Sequence, residues 1–136
     1  MSSPAPVHLF VYGSLRADAQ AWTTRAAAPH AALAAAADLE GTASVAGRLH
    51  AVAWYPALVP ARDGNRVRGE VWRIRDLAVL DLLDAFEGSE YARELHPAAL
   101  DDGPEVTAFL YRYLPSLEGV PLIPSGDYLD WVRSPT

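Results

Sequence analysis

The sequence predicts a single α+β domain in which strands outnumber helices. The length of 136 residues fits one domain, and no internal repeat or natural boundary divides the chain. Short apolar segments rich in β-forming residues recur between Gly and Pro turns, whereas only one segment has a clear helical period. A hydrophobic fraction of 51%, against 21% charged residues, excludes a disordered regulator because such chains lack the burial that offsets chain entropy.

The first predicted strand, Val7–Tyr12, is almost continuously apolar and ends at Gly13, which is typical of a strand buried on both faces. Five further strands are predicted at Thr42–Leu49, Tyr55–Pro60, Val67–Ile74, Tyr91–His96 and Val106–Tyr113. Within the fourth predicted strand, Val67 and Val71 share one face while Trp72 and Ile74 share the other. This pattern indicates a small barrel or a sheet covered on both sides.

Two regions favour helix. The clearer one begins at Asp76 and ends at Gly88, with apolar residues recurring every three positions at Leu77, Leu80, Leu83 and Phe86. The alanine-rich stretch Ala17–Asp38 also favours helix, and Pro29 is expected to break it into two short helices or a helix and a loop. Residues 1–6, punctuated by proline, are expected to be flexible, which leaves residues 7–133 as the domain.

Composition excludes several classes of function. The chain has no cysteine, which excludes disulfides, thiol nucleophiles and Cys-type zinc sites. Its four histidines lack metal-ligand spacing, so we predict no metal site. A net charge of −6 offers no general attraction for nucleic acid or anionic lipid, and no apolar run approaches the ~18 residues of a membrane span. We therefore expect a cytoplasmic protein, monomer or homodimer, without nucleic-acid or membrane partners.

Two features could carry chemistry. The turn Tyr12–Leu15 follows a buried strand, and its glycine allows backbone N–H groups to converge on an anion or an oxyanion. Ser14 in this turn lacks the flanking residues of a nucleophile elbow. Glu87 lies at the end of the predicted helix, where an apolar setting could raise its pKa toward a value suited to proton transfer. An ordinary turn and a solvated helix-end acid are the alternatives, and spacing alone does not choose Glu87 over Asp84 or Glu90.

Five fragments occur in a fixed order along the chain: Phe10–Arg16, Tyr55–Leu58, Arg68–Trp72, Leu83–Gly88 and Ser125–Tyr128. In this order they resemble the gamma-glutamylcyclotransferase-like family, which includes avirulence-induced-gene-like and gamma-glutamylamine cyclotransferase-like proteins. They extend over nearly the whole chain, from about residue 8 to residue 130. The resemblance implies a small mixed, largely antiparallel β-barrel flanked by α-helices, with a cavity reached from one end.

The resemblance also implies a site and a reaction. Glu87 would be the general acid/base and Tyr91 and Tyr111 would line the cavity, while the glutamyl group would bind to the turn formed by Tyr12, Gly13, Ser14 and Leu15. The implied reaction cyclises the gamma-glutamyl group of an amine, dipeptide or related amide to 5-oxoproline and releases the amine. Because its nucleophile belongs to the substrate, this reaction requires no cofactor. A non-catalytic binding or regulatory protein on the same fold is the alternative.

Two of the five fragments contain residues that we assign to structural roles. Gly69 and Glu70 are expected to belong to a structural strand, and Tyr55 and Pro56 to a packed edge or a cavity wall. Asp127 could close the cavity or cap a turn, and the turn is the favoured interpretation.

Overall fold

A computed structural model describes residues 6–133 and contains six β-strands, three α-helices and one 3-10 helix within that range. The strands are β1 (Val7–Val11), β2 (Ala37–Ala51), β3 (Pro56–Pro60), β4 (Arg66–Ile74), β5 (Tyr91–Leu100) and β6 (Glu105–Tyr113). The α-helices are α1 (Ala27–Ala36), α2 (Ala78–Glu87) and α3 (Tyr128–Arg133), and the 3-10 helix is Asp18–Ala21. Of the segment expected to be flexible, residues 1–5 lie outside the described range, and Pro6 is exposed.

Five of the strands close into a mixed barrel in the order β1-β4-β2-β3-β6. The barrel closes where β6 runs parallel to β1, with Leu9 opposite Phe109, and β6 also runs parallel to β3. The remaining neighbours are antiparallel, and β5 lies outside the ring as an extra strand paired with β6 and with the middle of β2. The predicted small mixed barrel flanked by helices is therefore confirmed.

Side chains on the two faces of the strands form two separate cores. On β4, Val67 and Val71 belong to the core inside the barrel, whereas Trp72 and Ile74 belong to the core between the barrel and the helices α1 and α2. Alternate residues of β1 divide in the same way. The absence of a polar face on these strands, noted in the sequence, reflects the burial of both faces.

The alanine-rich segment differs from its prediction. Its two helices are separated by residues 22–26 and not by Pro29, which lies in the first turn of α1. Proline is tolerated there because the first N–H groups of a helix have no intrahelical partner. The end of the segment, Ala37 and Asp38, begins β2 instead of extending a helix, because pairing with Ile74 and Arg73 of β4 overrides the helical preference of alanine.

One other boundary was predicted wrongly, and one helix was missed. Strand β5 continues through Pro97 to Leu100, because only β6 pairs with it at that position and an edge strand tolerates a missing N–H. The short helix α3 was not predicted. Asp127 precedes this helix and accepts a hydrogen bond from the amide of Leu129 at 3.0 Å, which agrees with the expected capping role.

Helix α2 positions the residues of greatest interest and begins and ends as its sequence indicates. The Asp76 carboxylate accepts a hydrogen bond from the amide of Ala78 at 3.0 Å, and Gly88 ends the helix with a φ of 81°. The longest helices, α1 and α2, have ten residues each, and no helix within residues 6–133 is both long and apolar enough to cross a membrane.

Candidate active site

A cavity of about 230 Å³ lies beside the end of β1. It is bordered by that strand and the loop after it, by the turn before β3, by the C-terminal end of α2 and by residues of β5 and β6. The lining residues are Phe10, Val11, Tyr12, Gly13, Ser14, Leu15, Trp54, Tyr55, Pro56, Phe86, Glu87, Glu90, Tyr91 and Tyr111. All of the site residues predicted from the sequence are thus among the residues of one cavity, although their roles stay predictions.

The loop after β1 has its carbonyl groups bound by neighbouring side chains. The amide of Gln20 donates to the carbonyl of Ser14 at 2.7 Å, and it also donates to the carbonyl of Arg16 at 2.8 Å. His30 bonds to the carbonyl of Leu15 through Nδ1 at 2.8 Å, so this nitrogen carries the proton. These contacts fix the loop from the side of the 3-10 helix and α1.

The amides of the same loop are not bound in this way. Within the described residues, no protein acceptor takes a hydrogen bond from the N–H groups of Gly13, Ser14 or Leu15. Three consecutive free N–H groups beside a cavity suit an anion or a developing oxyanion. Gly13 is required for close packing, because a Cβ atom there would lie 2.8 Å from Cγ of Pro56.

A buried carboxylate supports the end of this loop. Glu70 in β4 is 4% exposed and accepts hydrogen bonds from the amide of Ala17 at 2.7 Å and from Nε1 of Trp72 at 3.3 Å. Burial raises the pKa of Glu70, and its two donors partly oppose that rise. The expected placement of Gly69 and Glu70 in a structural strand agrees with the structure.

Glu87 is the last residue of α2, and its carboxylate belongs to the cavity wall. Among residues 6–133, no side chain or backbone group donates a hydrogen bond to it or forms a salt bridge with it. Burial raises the pKa of Glu87 to about 7, because the apolar surroundings disfavour the charged form. A carboxyl group with this pKa exchanges protons readily near neutral pH.

The two competing acids have different surroundings. Asp84, one helical turn before Glu87, receives hydrogen bonds from Arg93 at 2.9 and 3.1 Å and from the hydroxyl of Tyr111 at 2.8 Å. Glu90 borders the cavity but is exposed. The surroundings therefore favour Glu87 as the acid/base. No group of three or more His, Asp or Glu side chains within residues 6–133 has the arrangement of a metal site.

The tyrosines form walls, and their hydroxyl groups are occupied. Tyr12 donates to the carbonyl of Tyr111 at 2.5 Å, and Tyr91 donates to the carbonyl of Pro56 at 2.8 Å. Burial raises the pKa of both Tyr12 and Tyr91, and the nearby Glu87 carboxylate raises it further. Burial and the hydrogen bond to Asp84 raise the pKa of Tyr111. These hydroxyls stay protonated and fix the walls of the cavity instead of forming hydrogen bonds with Glu87.

Sequence reasoning missed the lining residue Trp54 and two side chains, Gln20 and His30, that form hydrogen bonds to the loop. Trp54 lies beside the predicted cavity-wall residues Tyr55 and Pro56 and is 39% exposed. Its position next to these residues, in the run Trp-Tyr-Pro before a short strand, was the available signal. No local pattern identified Gln20 or His30, because their bonds depend on how the 3-10 helix that contains Gln20 and the helix α1 that contains His30 pack behind the loop.

Known proteins with similar sequences show the family to which the chain belongs. The family model described as "Gamma-glutamyl cyclotransferase, AIG2-like" matches residues 9–130. The chain belongs to this gamma-glutamylcyclotransferase family. Among its relatives, the gamma-glutamylcyclotransferase family protein YtfP of Escherichia coli K12 is 37% identical over 129 residues, which cover 91% of this chain and 97% of the relative.

Two solved structures show the same family fold. The solution structure of ytfP from Escherichia coli superimposes with a TM-score of 0.61 at 35% identity, covering 93% of this chain and 100% of the other. The crystal structure of a mouse AIG2-like protein has a TM-score of 0.67 at 24% identity, with coverage of 91% and 90%. The second likeness shows the fold alone.

Proposed function

We propose that this chain is a gamma-glutamylcyclotransferase that converts a gamma-glutamyl amide to 5-oxoproline and a free amine, with Glu87 as the general acid/base. One observation supports this most strongly. The cavity contains the Glu87 carboxylate, which has no hydrogen-bond partner among residues 6–133. The same cavity is lined by a loop with three backbone N–H groups that donate to no acceptor among those residues. Membership of the family supports the reaction class.

The reaction needs proton transfer and positioning. The substrate's α-nitrogen attacks its own γ-carbonyl carbon, so a C–N bond forms in a five-membered ring while the bond to the leaving nitrogen breaks. Of the three protons on the α-ammonium group, one stays on the ring nitrogen and two end on the leaving amine, which departs as an ammonium ion. Well-oriented intramolecular attack has effective molarities of roughly 10^5–10^8 M, so a folded substrate supplies much of the acceleration.

Glu87 suits the proton transfer because the same group must accept and then donate. A carboxyl group with a pKa of about 7 does both more readily near neutral pH than one at the usual value of about 4.3. The amides of Gly13, Ser14 and Leu15 would hold the substrate carboxylate or the oxyanion. The rings of Tyr12 and Tyr91 would exclude water from the reacting atoms.

The substrate class is a gamma-glutamyl amine, a gamma-glutamyl dipeptide or a related amide, since all share the glutamyl half that this cavity would bind. The leaving group would lie toward the exposed part of the wall near Trp54. Substrate choice then depends on this part of the wall.

The test is release of 5-oxoproline from a panel of gamma-glutamyl compounds. With the best substrate, Glu87→Gln should lower kcat by about 10²–10⁴-fold, the usual contribution of a general acid/base. Glu90→Gln, which changes the competing acid, should lower kcat less than tenfold. Asp81→Asn, on the exposed side of α2, is the matched control and should leave kcat unchanged.

Two results would contradict the proposal. Normal release of 5-oxoproline by Glu87→Gln would remove Glu87 from the chemistry. Tight binding of gamma-glutamyl compounds without product from the unaltered protein would instead indicate a non-catalytic binding protein on this fold.

A further inference from the structure

The segment Ser125–Tyr128, called here the C-terminal anchor, connects to two walls of the cavity that lie far from it in the chain. We propose that Asp127 and Tyr128 are positioning residues that hold the glutamyl-binding loop and the turn at Trp54 at a fixed separation. The inference rests on the proposed function for its kinetic consequence. Its structural part concerns the geometry of the cavity and does not depend on turnover.

Asp127 holds the first wall through Arg16. Oδ1 of Asp127 accepts a hydrogen bond from Nη1 of Arg16 at 2.8 Å, and Asp18 binds the other side of the same guanidinium at 2.7 and 2.9 Å. Arg16 directly follows the loop Tyr12–Leu15 and is only 4% exposed. A buried guanidinium between two carboxylates has a defined geometry, so the position of Asp127 constrains the end of the loop.

Tyr128 holds the second wall. Its hydroxyl donates a hydrogen bond to the carbonyl of Trp54, in the turn before β3. Its side chain is 2% exposed and packs in the core inside the barrel. The ring therefore has little freedom to follow a displacement of Trp54, and the hydrogen bond fixes that carbonyl relative to the barrel.

The anchor is itself fixed to β4. The amide of Arg68 donates to the carbonyl of Gly126 at 2.8 Å. Gly126 has a φ of 70°, and a Cβ atom there would lie 1.9 Å from the carbonyl oxygen of Arg66, so only glycine fits. Ser125 also accepts a hydrogen bond from the amide of Asp127 through its Oγ atom at 3.2 Å. Each residue of the anchor thus has a contact that explains its presence.

The anchor should affect substrate binding more than the chemical step. We take the loop amides to hold the substrate carboxylate and the Trp54 turn to contact the leaving group's side chain. Both parts change little during the reaction, and such uniform binding appears in KM. Glu87 belongs to α2, which forms none of the bonds of the anchor described above. A purely structural role would instead lower the folded, active fraction and leave KM unchanged.

Steady-state kinetics test this difference. Asp127→Ala should raise KM about tenfold, and Tyr128→Phe, which removes one hydroxyl, should raise KM about threefold, with kcat within about twofold of the original in both. Asp127→Asn retains an acceptor for Arg16 and should recover part of the lost affinity. Asp130→Asn is the matched control, because Asp130 is exposed on the next turn of the chain and its side chain bonds only to Arg133 among the described residues. Its KM should not change.

Backbone ¹⁵N NMR without substrate is the second measurement. Asp127→Ala should shift the amide signals of Gly13, Ser14 and Leu15, and Tyr128→Phe should shift those of Trp54 and Tyr55. If the unaltered protein releases no 5-oxoproline, the proposed function fails while these shifts still decide whether the anchor holds the walls. Unchanged loop and turn signals, or an unchanged KM with a lower kcat, would overturn the inference. If Asp127→Ala does not fold, Asp127→Asn and Tyr128→Phe decide it by the same criteria.

Discussion

The two principal walls of the cavity are built in opposite ways. The loop Tyr12–Leu15 is braced from behind, since its carbonyls bind Gln20 and His30. The wall at the end of α2 has Glu87, whose carboxylate has no hydrogen-bond partner among the described residues although Asp84, one turn earlier, is fully paired. The loop wall is held by hydrogen bonds to its carbonyl groups, whereas the helix wall contains one carboxylate, that of Glu87, without a hydrogen bond among the described residues.

In the proposed mechanism, this difference assigns substrate binding to one wall and proton transfer to the other. Donors that hold a carboxylate or an oxyanion are most effective when they are preorganised, and bonds to the loop carbonyls supply that order. Asp84, by contrast, already accepts hydrogen bonds from Arg93 and Tyr111, so its oxygens are occupied by neighbouring side chains. Burial raises the pKa of Glu87 to about 7, and no donor among the described residues opposes that rise, so the group gains and loses a proton near neutral pH.

The largest expected effect after that of Glu87→Gln is the dependence of activity on pH. Glu87 must be deprotonated to accept a proton from the α-ammonium group, so kcat/KM should fall about 50-fold between pH 7, where about half of the carboxyl groups are charged, and pH 5. The measurement is the rate of 5-oxoproline formation from pH 5 to pH 8. Asp81→Asn should have the same profile. A flat profile across this range would show that Glu87 does not titrate as the base.

The next effect concerns the loop. In Gly13→Ala, the new Cβ would lie 2.8 Å from Cγ of Pro56, which must move together with the adjacent wall. We expect KM for the best gamma-glutamyl substrate to rise about tenfold, with a smaller change in kcat because Glu87 is on another element.

Gly103→Ala is the control for this variant. A Cβ atom at Gly103 would be 3.5 Å from the Leu100 side chain, an ordinary contact, and the residue is exposed far from the cavity lining. Its KM should be unchanged. If Gly13→Ala also had the KM of the unaltered protein, the position of the loop would not limit substrate binding.

These two walls also differ in how far the sequence revealed them. Residue pattern located the turn after the first strand and the end of α2, because a strand followed by glycine and a helix with a three-residue repeat are local signals. It could not choose among Asp84, Glu87 and Glu90, since the choice depends on Arg93 in β5 and Tyr111 in β6. Such pairing is set by the order of the strands, which residue pattern does not reveal. Residue pattern left a barrel and a covered sheet as alternatives, and only the family resemblance chose the barrel.

The same limit explains the errors in the fold. Alanine at the end of the segment Ala17–Asp38 indicated helix, yet Ala37 and Asp38 pair with β4 because the sheet supplies partners that local preference does not include. The strand predicted over Tyr91–His96 continues through Pro97 to Leu100, because β5 is an edge strand at Pro97 and tolerates the missing N–H there. Local pattern therefore predicted most elements, whereas their ends depended on neighbours distant in sequence.

The smallest effect is on the free energy of unfolding, which Glu87→Gln and Asp84→Asn should change in opposite directions at pH 8. The pKa of Glu87 is about 7 in the folded protein and about 4.3 when unfolded, so its protonated form stabilises the fold fully below pH 4.3, and this contribution disappears as the pH rises through 7. Glu87→Gln removes the penalty of the buried charge. It should therefore be more stable than the unaltered protein at pH 8, by roughly 1–2 kcal/mol, and equally stable below pH 4.5.

Asp84→Asn weakens the pair with Arg93 and should be less stable at pH 8. Urea unfolding at both pH values measures these differences, and a Glu87→Gln variant that is less stable at pH 8 would mean that the carboxylate has a stabilising partner.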